Sequence, residues 1–249
     1  MLEGMANEPS ESNAESKAQR RRVLTWLGAG GLLMTGTSGA SAQNARPAPA
    51  CVVRPEQTEG PYFVDTGLNR SDIRTDPTSG VAQEGVLLRL AFNVSRVKQG
   101  KCEALAGAHV ELWHCNAHGV YSGVSDRDSA ARGQKFLRGY QGTDAAGVAR
   151  FVTVYPGWYP GRAVHLHFII RAADSSTRTA RLEQFTSQLY FDDALSERIF
   201  ASAPYASHSG RRLRNNEDGL YRDGGQRLLV APTMDDKGLA AVFNIGLQA

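Results

Sequence analysis

The chain has 249 residues, 41% of them hydrophobic and 21% charged, with 26 Gly and 10 Pro. That glycine and proline content excludes a collagen-like or low-complexity chain, and the apolar content is that of a globular protein. The formal net charge of +3 is mild. No long basic block accompanies it, so no nucleic-acid partner is expected, and the Arg211, Arg212 and Arg214 cluster reads as a solvated loop.

Met1–Gln19 is polar and has no apolar periodicity. Arg20, Arg21 and Arg22 then precede a short, glycine-containing apolar run at Leu27–Met34, and Ala40-Ser41-Ala42 supplies a small-x-small cleavage site. A charged start, a short apolar stretch and an A-x-A site make a secretory signal. The paired arginines followed by Val23-Leu24 resemble the twin-arginine type. Residues 1–42 are therefore expected to be a signal peptide of an exported protein, periplasmic or extracellular, with no membrane association after signal removal. Residues 43–83 read as an irregular, Pro-rich N-terminal arm, and 84–249 as the folded domain.

Export makes a disulfide possible. Cys51, Cys102 and Cys115 give an odd count, so one bridge and one thiol is the simplest arrangement. A Cys51–Cys102 bridge would staple the arm to the core; the sequence leaves the pairing open.

The domain reads as all-β. Val86–Val94, His109–Asn116, Val148–Val154, Val164–Arg171, Ser187–Phe191, Leu228–Val230 and Ala240–Ile245 carry strand patterns, and Ala194–Ala201 a short helix. Turn signals lie at Thr143–Gly147 and Asp235–Gly238. Many short strands punctuated this way predict a two-sheet β-sandwich with a short helix and long loops carrying the site. In the strand 109–116, Val110, Leu112 and His114 share one face, and Glu111, Trp113 and Cys115 the other.

Chemistry concentrates between Trp113 and Tyr190. His165 and His167 alternate with Val164, Leu166 and Phe168, so both imidazoles face one way, as a pair of metal ligands would. No carboxylate lies near them in sequence, which argues against a 2-His-1-carboxylate iron site. The preceding Tyr155–Arg162 stretch is aromatic and glycine-rich and can bend a tyrosine back toward the histidines. Phenolate is a hard, anionic donor suited to ferric iron.

In order, Trp113-x-x-Asn116-x-x-Gly119-x-Tyr121, Pro156-Gly157-Trp158-Tyr159, Arg162-x-x-His165-x-His167-Phe168 and Gln188-x-Tyr190-Phe191 resemble the intradiol ring-cleavage dioxygenases, as does Thr58–Phe63. The nearest likeness is to the exported single-domain branch, with a core similar to protocatechuate 3,4-dioxygenase. The resemblance implies a non-haem Fe(III) held by Tyr121, Tyr159, His165 and His167. It also implies Arg162 over the substrate ring, Gln188 positioning the substrate, and Tyr159 as the phenolate that is displaced and takes a substrate proton. Catechol-type substrates and O2 would give cis,cis-muconate-type diacids. Tyr155 is the rival to Tyr159. One departure is Ala163, where the family often has proline after the arginine. Another is the lack of a helical N-terminal dimerisation domain. Two other readings compete: an exported copper oxidase using the same histidines, and a non-catalytic β-sandwich that binds aromatics or carbohydrate through Trp113, Trp158 and Tyr159.

Overall fold

A computed structural model describes residues 52–124, 129–174 and 181–248; the expected signal segment and Cys51 lie outside them. Nine strands and two helices are defined: β1 Leu87–Lys98, β2 Lys101–Ala104, β3 His109–Trp113, β4 Arg138–Gly142, β5 Val148–Val154, β6 His165–Asp174, β7 Arg181–Tyr190, α1 Asp193–Phe200, α2 Gly219–Arg222, β8 Thr233–Asp235 and β9 Gly238–Gln248.

Period-two patterning builds the first sheet. Leu88, Leu90, Phe92 and Val94 of β1 point inward, and Leu239, Ala241, Phe243 and Ile245 stand beside them on β9 in parallel register. The sheet runs β2-β1-β9-β8, with β5 antiparallel to the first half of β1. The second sheet runs β4-β3-β6-β7. Its inner face, with Val110, Leu112, Leu166, Phe168 and Ile170, closes on the first sheet in one core. Phe92 lies at the contact, 5.2 Å from the Phe168 ring and 5.9 Å from that of Phe243. Burying each such side chain stabilises the fold by about 1.5–3 kcal/mol. The all-β sandwich expected from the sequence is the observed architecture.

The second sheet is covered on both faces. Its outer face carries Trp113 and Ile169, which cluster with Cys115, Tyr121 and Tyr159 under Tyr62 and Phe63 of the N-terminal arm. The arm is held there by backbone and side-chain bonds: Gln57 N–H donates to the Thr186 carbonyl at 3.0 Å, and Ser187 Oγ to the Pro55 carbonyl at 2.8 Å.

Several elements differ from the sequence expectation. β1 and β7 run longer than their apolar cores. β2 and β4 carry little apolar pattern, and their pairing comes from β1 and β3 instead. Leu228–Val230 is not a strand: a 3-10 turn at Gly225–Leu228 leads to a single bridge between Leu229 and Tyr190. Helix α1 falls where expected, started by Asp192, whose carboxylate accepts from the Leu195 N–H at 3.0 Å. Cys102 is disulfide-bonded and Cys115 is a buried thiol.

Candidate metal centre

His165 and His167 project from the outer face of β6, opposite Tyr190 and Gln188 of β7. Both rings are buried. His165 Nδ1 lies 2.7 Å from the Ala163 carbonyl, which makes it the N–H and leaves Nε2 as a bare lone pair. That Nε2 is 3.0 Å from His167 Nε2 and 3.1 Å from Tyr159 Oη. The His167 ring stacks on Trp113 at 5.1 Å with 9° between planes.

Two loops bring the tyrosines in. Gly157 N–H donates to the Asn116 carbonyl at 3.2 Å, joining the loop that carries Tyr159 to the one that carries Tyr121. The Tyr121 and Tyr159 rings meet edge to face at 5.7 Å, and Tyr121 lies 6.3 Å from the His167 ring. The Tyr121 hydroxyl is buried, with no partner within 3.5 Å among the described residues, and interacts with the Tyr159 phenol beside it. Tyr155 does not compete for the site. It is buried in the main core, with its hydroxyl 2.7 Å from Ser196 Oγ.

The electrostatics suit a cation. Burial, then the Arg162 charge, holds His165 down to about 3, and burial with His165 beside it holds His167 well below its ordinary value. Both imidazoles are thus neutral, the form that ligates metal. Burial pushes the Tyr159 phenol up to about 12 and Tyr121 well above its ordinary value. His167 Nε2 and the Tyr159 hydroxyl converge within 3.0 and 3.1 Å of His165 Nε2, as ligands of a single cation would. With one, each phenol can ionise and each lone pair is used. The donor set of two imidazoles and two phenols fits ferric iron.

Arg162 sits at the rim of this cluster. Its Nη1 is 3.3 Å from His165 Nε2, and Nη2 donates to Gln188 Oε1 at 2.6 Å and to Tyr190 Oη at 3.2 Å. Gln188 also donates to the Thr58 carbonyl at 3.0 Å. Its amide is therefore committed to the arm and the guanidinium. The structure thus brings together Tyr159, Arg162, His165, His167 and Gln188, with Tyr121 against Tyr159 and His167.

Sequence reasoning missed four contributors. Asp218 pairs with Arg162 Nε at 2.9 Å. Tyr62 stacks on Tyr121 at 4.6 Å and meets Tyr159 edge-on at 5.6 Å. At Gly60, with φ of 74°, a Cβ would stand 3.2 Å from His167 Cε1, so glycine lets the arm lie on the imidazole. Arg138, buried and lowered to about 10 chiefly by that burial, donates to the Ser122 and Tyr62 carbonyls at 2.6 and 2.8 Å and lies 5.9 Å from the Tyr121 ring. The Thr58–Phe63 motif pointed to the arm; the two charged residues left no local signal.

A family model described as Dioxygenase matches residues 58–215. Among solved structures, an intradiol ring-cleavage dioxygenase from Tetranychus urticae is 30% identical, with 80% of this chain and 95% of that one covered and a TM-score of 0.66. The dioxygenase domain of a dioxygenase–carbohydrate-binding protein fusion from Streptomyces sp. SirexAA-E is 26% identical, covering 80% and 99%, with a TM-score of 0.56. Hydroxyquinol 1,2-dioxygenase from Pseudomonas putida DLL-E4, at 19% identity, 80% and 68% coverage and a TM-score of 0.54, shares the fold. No curated protein matches. The chain belongs to the intradiol ring-cleavage dioxygenases. It is accordingly an enzyme, and the reading as a non-catalytic binding module falls.

Proposed function

We propose that the protein is an exported non-haem Fe(III) dioxygenase that opens catechol-type rings between the two hydroxylated carbons, giving cis,cis-muconate-type diacids. Tyr121, Tyr159, His165 and His167 would hold the iron. The observation that carries this reading is the approach of His167 Nε2 and Tyr159 Oη to within 3.0 and 3.1 Å of His165 Nε2, with the buried Tyr121 ring against Tyr159 and His167.

Ferric iron held by these four residues would supply Lewis acidity and an electron-accepting centre for a catechol-type ring. The remaining work belongs to the chain. Ala163 fixes the His165 tautomer through its carbonyl, so Nε2 faces the metal position. Tyr159, as the phenolate that a bound cation would favour, would accept one catechol proton at Oη, and burial favours the neutral phenol that results. Arg162 Nη1 faces the same point and stabilises negative charge on the ring oxygens. Gln188 holds the guanidinium to the arm. Gly60 and Trp113 cover the His167 imidazole and Tyr62 covers the two tyrosine rings, which keeps bulk water off the cluster.

Loading purified protein with ferric iron tests this. One iron per chain and a broad visible phenolate-to-iron band are expected, with Tyr121→Phe and Tyr159→Phe bleaching or shifting the band. Catechol under oxygen should give a colourless diacid read by its ultraviolet spectrum. A loaded protein that stays colourless, or a yellow semialdehyde product, refutes the assignment. Export is tested by changing Arg20, Arg21 and Arg22 together to Lys, which is expected to trap the precursor inside; normal export of the triple variant refutes twin-arginine dependence.

A further inference from the structure

One buried carboxylate near the site has no part in holding metal. Asp218 is 1% exposed and lies past residue 215, where the family match ends. Its two oxygens have separate duties. Oδ1 starts α2 by accepting from the Leu220 N–H at 2.8 Å. Oδ2 accepts from Arg162 Nε at 2.9 Å and from the Ala163 N–H at 2.8 Å. A proline at 163 would have no N–H to give. The alanine at this position thus furnishes the second donor, and the segment before β6 is clamped at two adjacent residues by one oxygen atom.

The clamp also decides the orientation of the guanidinium. Asp218 takes Nε, while Gln188 and Tyr190 take Nη2. Nη1 is the corner left at 3.3 Å from His165 Nε2. A planar fork with two of its edges occupied cannot rotate without breaking charge-assisted bonds.

We propose that Asp218 is the positioning residue for Arg162, fixing from the C-terminal segment which corner of the guanidinium faces the reacting ring. The proposal rests on the role given to Arg162 above. It explains why a short helix outside the matched region is anchored on the segment that leads into β6. An unpaired Arg162 would be a long side chain free to follow solvent; the paired one is held ready before substrate arrives.

The test is a double-mutant cycle of Asp218→Asn and Arg162→Ala on the full chain. Asparagine has the carboxylate's shape but neither its charge nor its full acceptor capacity. Iron content and the visible band of Asp218→Asn should match wild type. Its kcat on catechol should fall about 10–100-fold, short of the ~10²–10³ expected for losing a transition-state donor outright. In the Arg162→Ala background the same change should lower kcat by less than about twofold. Denaturant unfolding of the metal-free proteins should show a coupling of about fivefold or more in the unfolding constant. Equal losses of kcat in both backgrounds, or additive unfolding, would overturn the proposal. Should Asp218→Asn not fold, Asp218→Ser keeps a helix-starting oxygen and is read by the same criteria. If the wild-type chain turns over no catechol, the reading of the site fails, while the metal-free cycle still decides whether Asp218 holds Arg162.

Discussion

A buried histidine that binds no metal gives the clearest pH signature. His114 lies between the sheets, with Nδ1 2.8 Å from the Cys115 carbonyl and Nε2 2.6 Å from Thr153 Oγ1. Burial holds it down to about 4, against 6.5 for a free imidazole. The folded state therefore resists a proton that the unfolded chain accepts. Stability is complete above about pH 6.5 and declines as pH falls toward 4, by roughly 3 kcal/mol in all. His114→Gln should flatten the loss between pH 7 and 4.5 measured by urea unfolding. An unchanged slope would place the proton elsewhere. The alternation places His114 on the face of Val110 and Leu112, and in the structure that face is the core side. The His114 bond to Thr153 across the sandwich had no sequence signal.

At the scale of elements, the site depends on two loops zipped by glycines. A Cβ on Gly119 would stand 2.2 Å from the Trp158 carbonyl oxygen, at a φ of 74° that L side chains avoid. A Cβ on Gly157 would meet the Asn116 and Ala117 carbonyl oxygens at 2.5 Å. These neighbours are backbone and cannot rotate aside. Gly119→Ala should destabilise by about 2–4 kcal/mol and loosen Tyr121 from Tyr159. Ferric iron uptake should weaken more than the far-ultraviolet circular dichroism changes. A variant with wild-type uptake and melting would show that the loops adjust. The His165-x-His167 strand was legible in the sequence because period-two geometry is local, whereas Tyr121 and Tyr159 were legible through the family resemblance of the motifs that hold them. The short strands β2 and β4 were not legible. Lys101–Ala104 has almost no apolar pattern, and Arg138–Gly142 contains two glycines; both are strands because a neighbour offers them a ladder. Asp218 was invisible for a related reason: its partner Arg162 is distant in sequence, and nothing in the surrounding Asn-Asn-Glu-Asp-Gly run distinguishes a site residue from a turn.

For the molecule as a whole, the parallel pairing of β1 with β9 sets an order of events in time. Asn93 Nδ2 donates to Asn244 Oδ1 at 2.9 Å across 151 residues, and the inward ladder from Leu88 to Val94 is completed only by the last strand. Parallel strands this far apart in sequence are slow to find one another, since the loop between them must close before any contact rewards it. A chain emerging from the ribosome therefore cannot complete its first sheet until β9 has been made, and until then β1 waits with an open apolar edge that other chains can pair with. Stopping the chain after Asp236 should leave the protein aggregated even though every residue near the metal position is present. Pulse-labelled protein should become protease-resistant only after β9 has left the ribosome. Resistant, soluble protein from the shortened chain would show that the second sheet can stand without the ladder that β9 closes.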